Sequence, residues 1–166
     1  MTIIFPEKYI KKALSLTIDT ALYNQGAGRS PIMWQRDGEL IWYIDNYRAW
    51  AVPASGVYLT CKEPKELHIV DRYSPGAYSH ELKDTGLKKV IERRGKNGKP
   101  QKSEVAIFKA EDGREVGLNA GFLKLYAGMD IALTDGGKDE TAVLVHDQTP
   151  DGEVFGVMMP VRLTKE

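Results

Sequence analysis

Two short stretches of this chain carry residue types suited to gripping an extended peptide. One is Tyr47-Arg48. The other is the run Val157-Met158-Met159-Pro160-Val161-Arg162-Leu163 near the C-terminus. Arginine presents a planar fork of donors to a carbonyl or carboxylate, and methionine reshapes itself around varied apolar anchors. Pro160 removes a ladder donor and stiffens the backbone, so it marks a sheet edge or the exit from a sheet. Residues beyond it read as a tail laid on a surface, where apolar side chains could wall a groove. The plainer alternative makes Val157 and Met159 core, leaves Arg162 solvated and has Leu163 plug its own domain.

A second chemistry is electrostatic. The chain is neutral overall, with 23 basic and 23 acidic residues. Yet Lys88, Lys89, Arg93, Arg94, Lys96, Lys99 and Lys102 crowd one segment that holds a single acid, Glu92. Such a stretch attracts phosphates while the remaining, acidic body repels them. A solvated, partly disordered loop would look the same. Lys8, Lys11 and Lys12 form a smaller basic set near the N-terminus, and Lys124 is a weaker candidate.

Catalytic chemistry has little to build on. His146-Asp147 adjoins an expected turn, and Asp135, Asp139 and Glu140 cluster in another. There is no Gly-x-Ser-x-Gly, P-loop or zinc spacing, and the acidic turn lacks the alternating ligands and closing glutamate of a calcium loop. His68, His80 and His146 stand far apart. The expectation is a protein that is not an enzyme, with no cofactor and no metal. The lone Cys61 excludes an intrachain disulfide, which fits a reducing cytoplasm. No apolar run approaches the roughly 20 residues of a membrane span, and the N-terminus is too short and uncharged for a signal peptide. At 166 residues, 42% hydrophobic and 28% charged, the composition is that of one globular domain.

The elements that must position these residues follow from pattern and punctuation. Thr2–Phe5 reads as a short strand, and Pro6 suits the first turn of a helix. Ile10, Leu14, Ile18 and Leu22, flanked by Tyr9, Ala13 and Ala21, predict an amphipathic helix with Lys8, Lys11, Lys12, Ser15 and Asp19 outside. Asn24 to Gly28 stops it. Asp37-Gly38 joins strands Ile32–Arg36 and Glu39–Asp45 in a hairpin; Ala49–Val52 and Val57–Cys61 follow as strands. In the second half, Glu104–Ala110 and Arg114–Leu118 flank a turn, and Asn119 caps a short helix reaching Leu125 or Tyr126. Strands Asp130–Thr134, Thr141–His146 and Val154–Met159 complete it. A strand–helix–three-strand unit therefore occurs twice. Between the halves, Leu67–Tyr73 reads as a strand and Ser79–Arg94 as an imperfect helix weakened by Gly86. The expected division is a first unit over 1–61, an insertion or connector over 62–103 and a second unit over 104–166.

The paired units and the C-terminal run resemble bacterial DNA polymerase sliding clamps, whose domains contain two strand–helix–three-strand units. The stretch from Glu115 to Leu123 is similar to that family's strand-to-helix lead-in, Thr141 to Val145 to its penultimate strand, and Val157 to Leu163 to its ending. Asp37-Gly38-Glu39-Leu40 running to Asp45-Asn46-Tyr47-Arg48-Ala49 is similar to its hairpin and aspartate–arginine loop. These stretches cover roughly half the chain. Two features depart from the family: bacterial clamps carry three such domains per chain, and Asn46 with Ala49 or Trp50 replaces its small residue and leucine.

The resemblance implies an α+β, DNA-clamp-like fold of antiparallel sheets with helices on one side. It implies a non-catalytic platform whose groove, at Tyr47, Arg48, Val157, Met159, Pro160, Val161, Arg162 and Leu163, takes short peptide motifs of replication proteins. Duplex DNA would be a further partner through Lys8, Lys11 and Lys12, and, outside the matched stretches, through the stronger basic footprint of Lys88, Lys89, Arg93, Arg94, Lys96, Lys99 and Lys102; a one-domain chain would act as a homo-oligomer. The alternative is a non-ring protein-interaction module of a phage or mobile element. Trp34, Trp42 and Trp50, spaced eight apart, would serve a partner surface if exposed; intervening turns favour a core role.

Overall fold

Pro6, with φ −59°, sets the backbone ahead of helix α1 (Glu7–Gly26), and Glu7 lies at its positive end. A computed structural model describes residues 5–29, 32–45, 47–55, 80–94, 98–135, 142–148 and 153–163. The strands expected over Val57–Cys61 and Leu67–Tyr73, and Thr2 to Ile4 of the first, lie outside these. Tyr9, Ala13 and Thr17, four apart, form the buried line of α1. The stripe expected through Ile18 and Leu22 is displaced: both are exposed, and Ile10 and Leu14 are half-buried. Hydrogen bonding is what turns the helix. The Tyr9 hydroxyl donates to the Ala51 carbonyl at 2.7 Å, and the Trp50 indole N–H donates to the Thr17 hydroxyl at 3.0 Å. Thr17 donates in turn to Ala13 O at 2.9 Å. Burial, then the nearby Tyr126, pushes the Tyr9 phenol well above its usual range.

Turn chemistry sets the strands. Gly38 (φ 55°) closes the hairpin of β1 (Met33–Asp37) and β2 (Leu40–Ile44), and β3 (Arg48–Pro53) follows. Further along come β4 (Leu82–Arg94), β5 (Pro100–Ala110) and β6 (Glu115–Asn119). Next are the short helix α2 (Ala120–Leu123) and a 3₁₀ turn (Lys124–Tyr126). Asn119 caps α2, its side chain accepting from Gly121 N. The last strands are β7 (Ile131–Asp135), β8 (Val143–Asp147) and β9 (Val154–Met158). The fold is thus α+β, with one long and one short helix among the described residues.

Strand pairing gives a six-stranded antiparallel sheet in the order β1-β2-β3-β9-β8-β7 and a three-stranded sheet β4-β5-β6. In the larger sheet two helix-plus-three-strand segments, α1 to β3 and α2 to β9, meet at their third strands with mirrored order. The junction pairs Arg48 with Met158, Ala49 with Val157 and Trp50 with Gly156. Single bridges, Glu81 to Thr134 and Gly117 to Val161, stitch the smaller sheet to β7 and to the chain beyond β9. Asp135 reinforces the first seam. Its carboxylate accepts from His80 N at 2.8 Å and from the Arg114 guanidinium, and its own N–H donates to His80 O.

The helix expected over Ser79–Arg94 is instead strand β4. Its backbone pairs along β5 from Leu82 opposite Ala110 to Arg94 opposite Pro100, with a register shift between Asp84 and Lys88. Gly86, at φ 74°, supplies the left-handed residue in that bulge. β4 is exposed from Lys83 through Val90 as the outer strand of this sheet, and from Val90 opposite Glu104 outward, past the end of β6, β4 and β5 pair alone as a two-stranded arm. β5 continues through Val105 to Phe108, all buried.

Trp42 and Trp50 are fully buried and Trp34 half-buried, so the tryptophans serve the core. Phe5, Tyr9, Tyr126 and Phe155 make an aromatic cluster, with Phe5 stacked on Tyr9 at 5.3 Å and Tyr9 on Tyr126 at 5.9 Å. Each large side chain so buried contributes roughly 1.5–3 kcal/mol. Gly156 makes this packing possible. A Cβ there would sit 2.2 Å from the Tyr126 hydroxyl oxygen.

Candidate functional site

Asp45 builds the loop that carries Tyr47 and Arg48. Its Oδ1 accepts from the backbone N–H of Tyr47 (2.9 Å) and Arg48 (3.0 Å), the usual way an aspartate holds a turn. Asp45 N then donates to Arg48 O at 3.0 Å. The Arg48 guanidinium, 3.4 Å from the Asp45 carboxylate, lies 4.3 Å above the Phe122 ring of α2 and 5.3 Å above that of Trp50. Cation–π contact of this kind fixes the side chain between the sheet and α2.

The C-terminal run arrives beside this loop in the same chain. Met159 N donates to Tyr47 O at 2.9 Å, extending the β3–β9 ladder by one bond. Tyr47 is 61% exposed and Met159 41% exposed, so two large apolar side chains adjoin at the surface with Arg48 behind them. Pro160 has no N–H to continue the ladder, and the chain leaves the sheet. Val161 N next donates to Gly117 O on β6 at 2.8 Å. Leu163 then rests on Gly117, its Cδ2 2.9 Å from where a Cβ would project.

The expected groove residues therefore divide. Tyr47 and Met159 adjoin at the surface and Pro160 follows them, whereas the Arg48 side chain is largely covered, held by Asp45 and laid over Trp50 and Phe122. Val161 and Leu163 are half-buried against β6, and Arg162 is exposed. Val157 is a correction: it is 7% exposed, paired with Ala49 on one side and Leu144 on the other, and belongs to the core. With its side chain covered in this way, Val157 cannot line a surface groove. Asp45, Phe122 and Gly117 contribute as well, although none was among the expected groove residues and Asp45 was expected only as the start of the aspartate–arginine loop. Only Asp45 had a local signal, a carboxylate two and three residues before the amides it accepts from.

The basic residues fall on two surfaces. Lys8 and Lys11 are exposed on α1, with Lys11 paired to Glu7 at 2.6 Å. Lys12 donates to Lys124 O at 3.1 Å, joining the helix to the 3₁₀ turn. The arm carries the others. Lys88 pairs with Glu104 at 2.9 Å, and Lys89, Lys99 and Lys102 are exposed. Arg93 and Arg94 pair by backbone with Gln101 and Pro100; Lys96 lies outside the described residues. The Lys88 ammonium holds the Glu104 carboxyl below its usual range, with a smaller contribution from Lys124. What the sequence offered as a cationic loop is ordered strand along most of its described length.

His146 is buried on β8, its Nδ1 2.8 Å from Asp147 O. Asp139 and Glu140 lie outside the described residues. Among the described residues no group of three His, Cys, Asp or Glu side chains could hold a metal ion. No helix there is long and apolar enough to cross a membrane. Comparison with protein-family models, with curated proteins and with solved structures returned no match.

Proposed function

We propose that this chain is a non-catalytic, clamp-like platform for replication that binds short peptide tails at the Tyr47–Arg48–Met159–Pro160 surface. The observation that carries this reading is the Met159 N–H bond to Tyr47 O. It brings an aspartate–arginine loop and a Met-Pro-x-Arg-Leu ending together in one domain, with Tyr47 and Met159 left uncovered by the chain's own core. Met159 adapts to an apolar anchor, Tyr47 adds a flat apolar wall with a polar tip, and the cation of Arg48 lies behind both. The mirrored order of the six-stranded sheet, a helix and three strands on each side, supports the clamp-like reading of the fold.

The lysines of α1 and the 3₁₀ turn supply loose contact with duplex DNA. Lys8, Lys11, Lys12 and Lys124 would meet phosphates without reading bases, as sliding requires. Several copies of this chain would act together as a homo-oligomer.

Binding of a fluorescent clamp-binding peptide to the purified chain tests the groove. Met159→Ala, or removal of residues 161–166, is expected to weaken binding by about tenfold or more, a loss of roughly 1.4 kcal/mol. Equal affinity in the altered chains would remove the groove. Retention on mixed-sequence duplex DNA is expected to fall steeply between about 50 and 200 mM salt; retention indifferent to salt would remove the lysine contact.

A further inference from the structure

The arm leaves a puzzle that phosphate binding does not explain. Leu87 and Val90 are 62% and 67% exposed on β4, among lysines. Contact with a nucleic-acid backbone calls for cations, not for uncovered leucine and valine. At the foot of the same strand a cavity of about 460 Å³ opens where β4 and β7 diverge below the Glu81–Thr134 bridge. That size lies within the usual range of ligand pockets, about 300–1,000 Å³. Its walls include Leu82, Phe108, Leu123, Tyr126 and Leu133, and its charged lining residues are the carboxylates Glu81 and Asp84. Apolar walls with acids and no cation match a segment that is apolar and basic.

We infer that the arm of one copy of this chain docks in the β4–β7 cavity of a second copy. This stretch of β4 has the required chemistry: Leu87 and Val90 offer exposed apolar side chains and Lys89 an exposed cation, while Lys88 is held by Glu104. It also has reach. From Val90 to Arg94 the two-stranded part extends about 13 Å at roughly 3.3 Å per residue. An arm's own cavity is out of its range, since β4 leaves the cavity rim at Asp84 and Leu87 and Val90 remain exposed. The outer edge of β4 along the arm has no strand partner among the described residues, so backbone pairing is available to a neighbour. The docking surfaces are different patches, so the contact can be head-to-tail. This inference rests on the oligomeric part of the proposed function and assigns its contact; it is independent of the peptide groove.

Sedimentation or light scattering over a concentration series tests it, with charge reversal on each side. E81K/D84K alters the cavity mouth, and K89E/K99E alters the arm. Each alone is expected to weaken self-association at least about tenfold, because like charges meet across the contact. An equimolar mixture of the two is expected to associate again, as opposite signs then face each other. L87S/V90S, at exposed positions that leave the core untouched, is expected to weaken association likewise. A wild-type chain that stays monomeric, or that associates equally with either reversal, overturns the inference. So does loss of DNA retention without change in mass in K89E/K99E, which would make the arm a nucleic-acid contact. Peptide binding at Met159 is expected to persist in all three variants, so failure here leaves the groove standing.

Discussion

Replacing Gly117 with alanine places a methyl group where the C-terminal tail crosses β6. The new Cβ would meet Leu163 Cδ2 at 2.9 Å, Val105 Cγ1 at 2.9 Å and Val161 O at 3.2 Å. Overpacking of this kind costs typically 1–3 kcal/mol. Val105 is fully buried and cannot retreat, whereas among the described residues the tail is held by the Val161 N–H bond to Gly117 O and by a half-buried leucine. That bond is worth about 1 kcal/mol net, and half the burial of a leucine roughly another 1 kcal/mol. The tail's attachment, about 2 kcal/mol in all, is therefore the cheaper thing to give up. The Val161 amide is expected to exchange with solvent about 10–30 times faster in Gly117→Ala, while the amides of Ile107 and Leu118 hold their protection. Global stability is expected to fall by less than about 2 kcal/mol, partly offset by the alanine's stiffer unfolded chain. A Val161 amide as slow as in the parent, alongside a large global loss, would show that the core yields and not the tail.

Gly156→Ala is expected to be far worse, costing about 3 kcal/mol or more, because the Tyr126 hydroxyl 2.2 Å from the new Cβ is locked in the aromatic cluster. A urea midpoint unchanged from the parent would contradict that packing. Stability is expected to decline in acid in part through Glu104 and Asp112, whose carboxyls are held low by Lys88 and by the backbone and side chain of Arg114. With folded values below the unfolded ones, their contribution is present above about pH 4 and drains away as pH falls through the folded values. Lys88 is shifted the other way by the same pair. Its contribution is present below about pH 10.4 and is lost as pH rises through the higher folded value. Both groups in that pair are exposed, so the effect is small and screened by salt. Glu104→Gln is expected to flatten the acid limb measurably at low salt only; an equal flattening in strong salt would refute the pairing.

The hairpins were legible because their turns demand particular residues: Asp37-Gly38 and the Asp112-Gly113 turn both fall where the structure puts them, with Gly38 and Gly113 at positive φ. The arm was not legible, for a physical reason. Alternation of apolar and polar residues marks a strand with one dry face, and the arm has none. The bulge at Gly86 further shifts the register, so Leu82, Leu87, Val90 and Ile91 imitate a helical stripe. In α1 the misplaced stripe has a different cause. Thr17 counts as polar in any hydropathy pattern, yet it sits in the core because Trp50 and Ala13 satisfy its hydroxyl. The site was half visible. Residue types near Tyr47 and Met159 could be read, but their adjacency comes from β3 pairing with β9, a contact between distant parts of the chain.

Because β9 lies between β3 and β8, the middle of the larger sheet is completed only by residues far along the chain from β3. Until they emerge, the inner edge of β3 has no neighbour from its own chain and offers bare amides and carbonyls to anything extended nearby. Assembly must then bring β3 and β9 together across the long stretch of chain between them, a loop closure that slows folding. Nascent chains would gain from protection during that interval, and premature truncation would leave a sticky half-sheet in place of a smaller working protein.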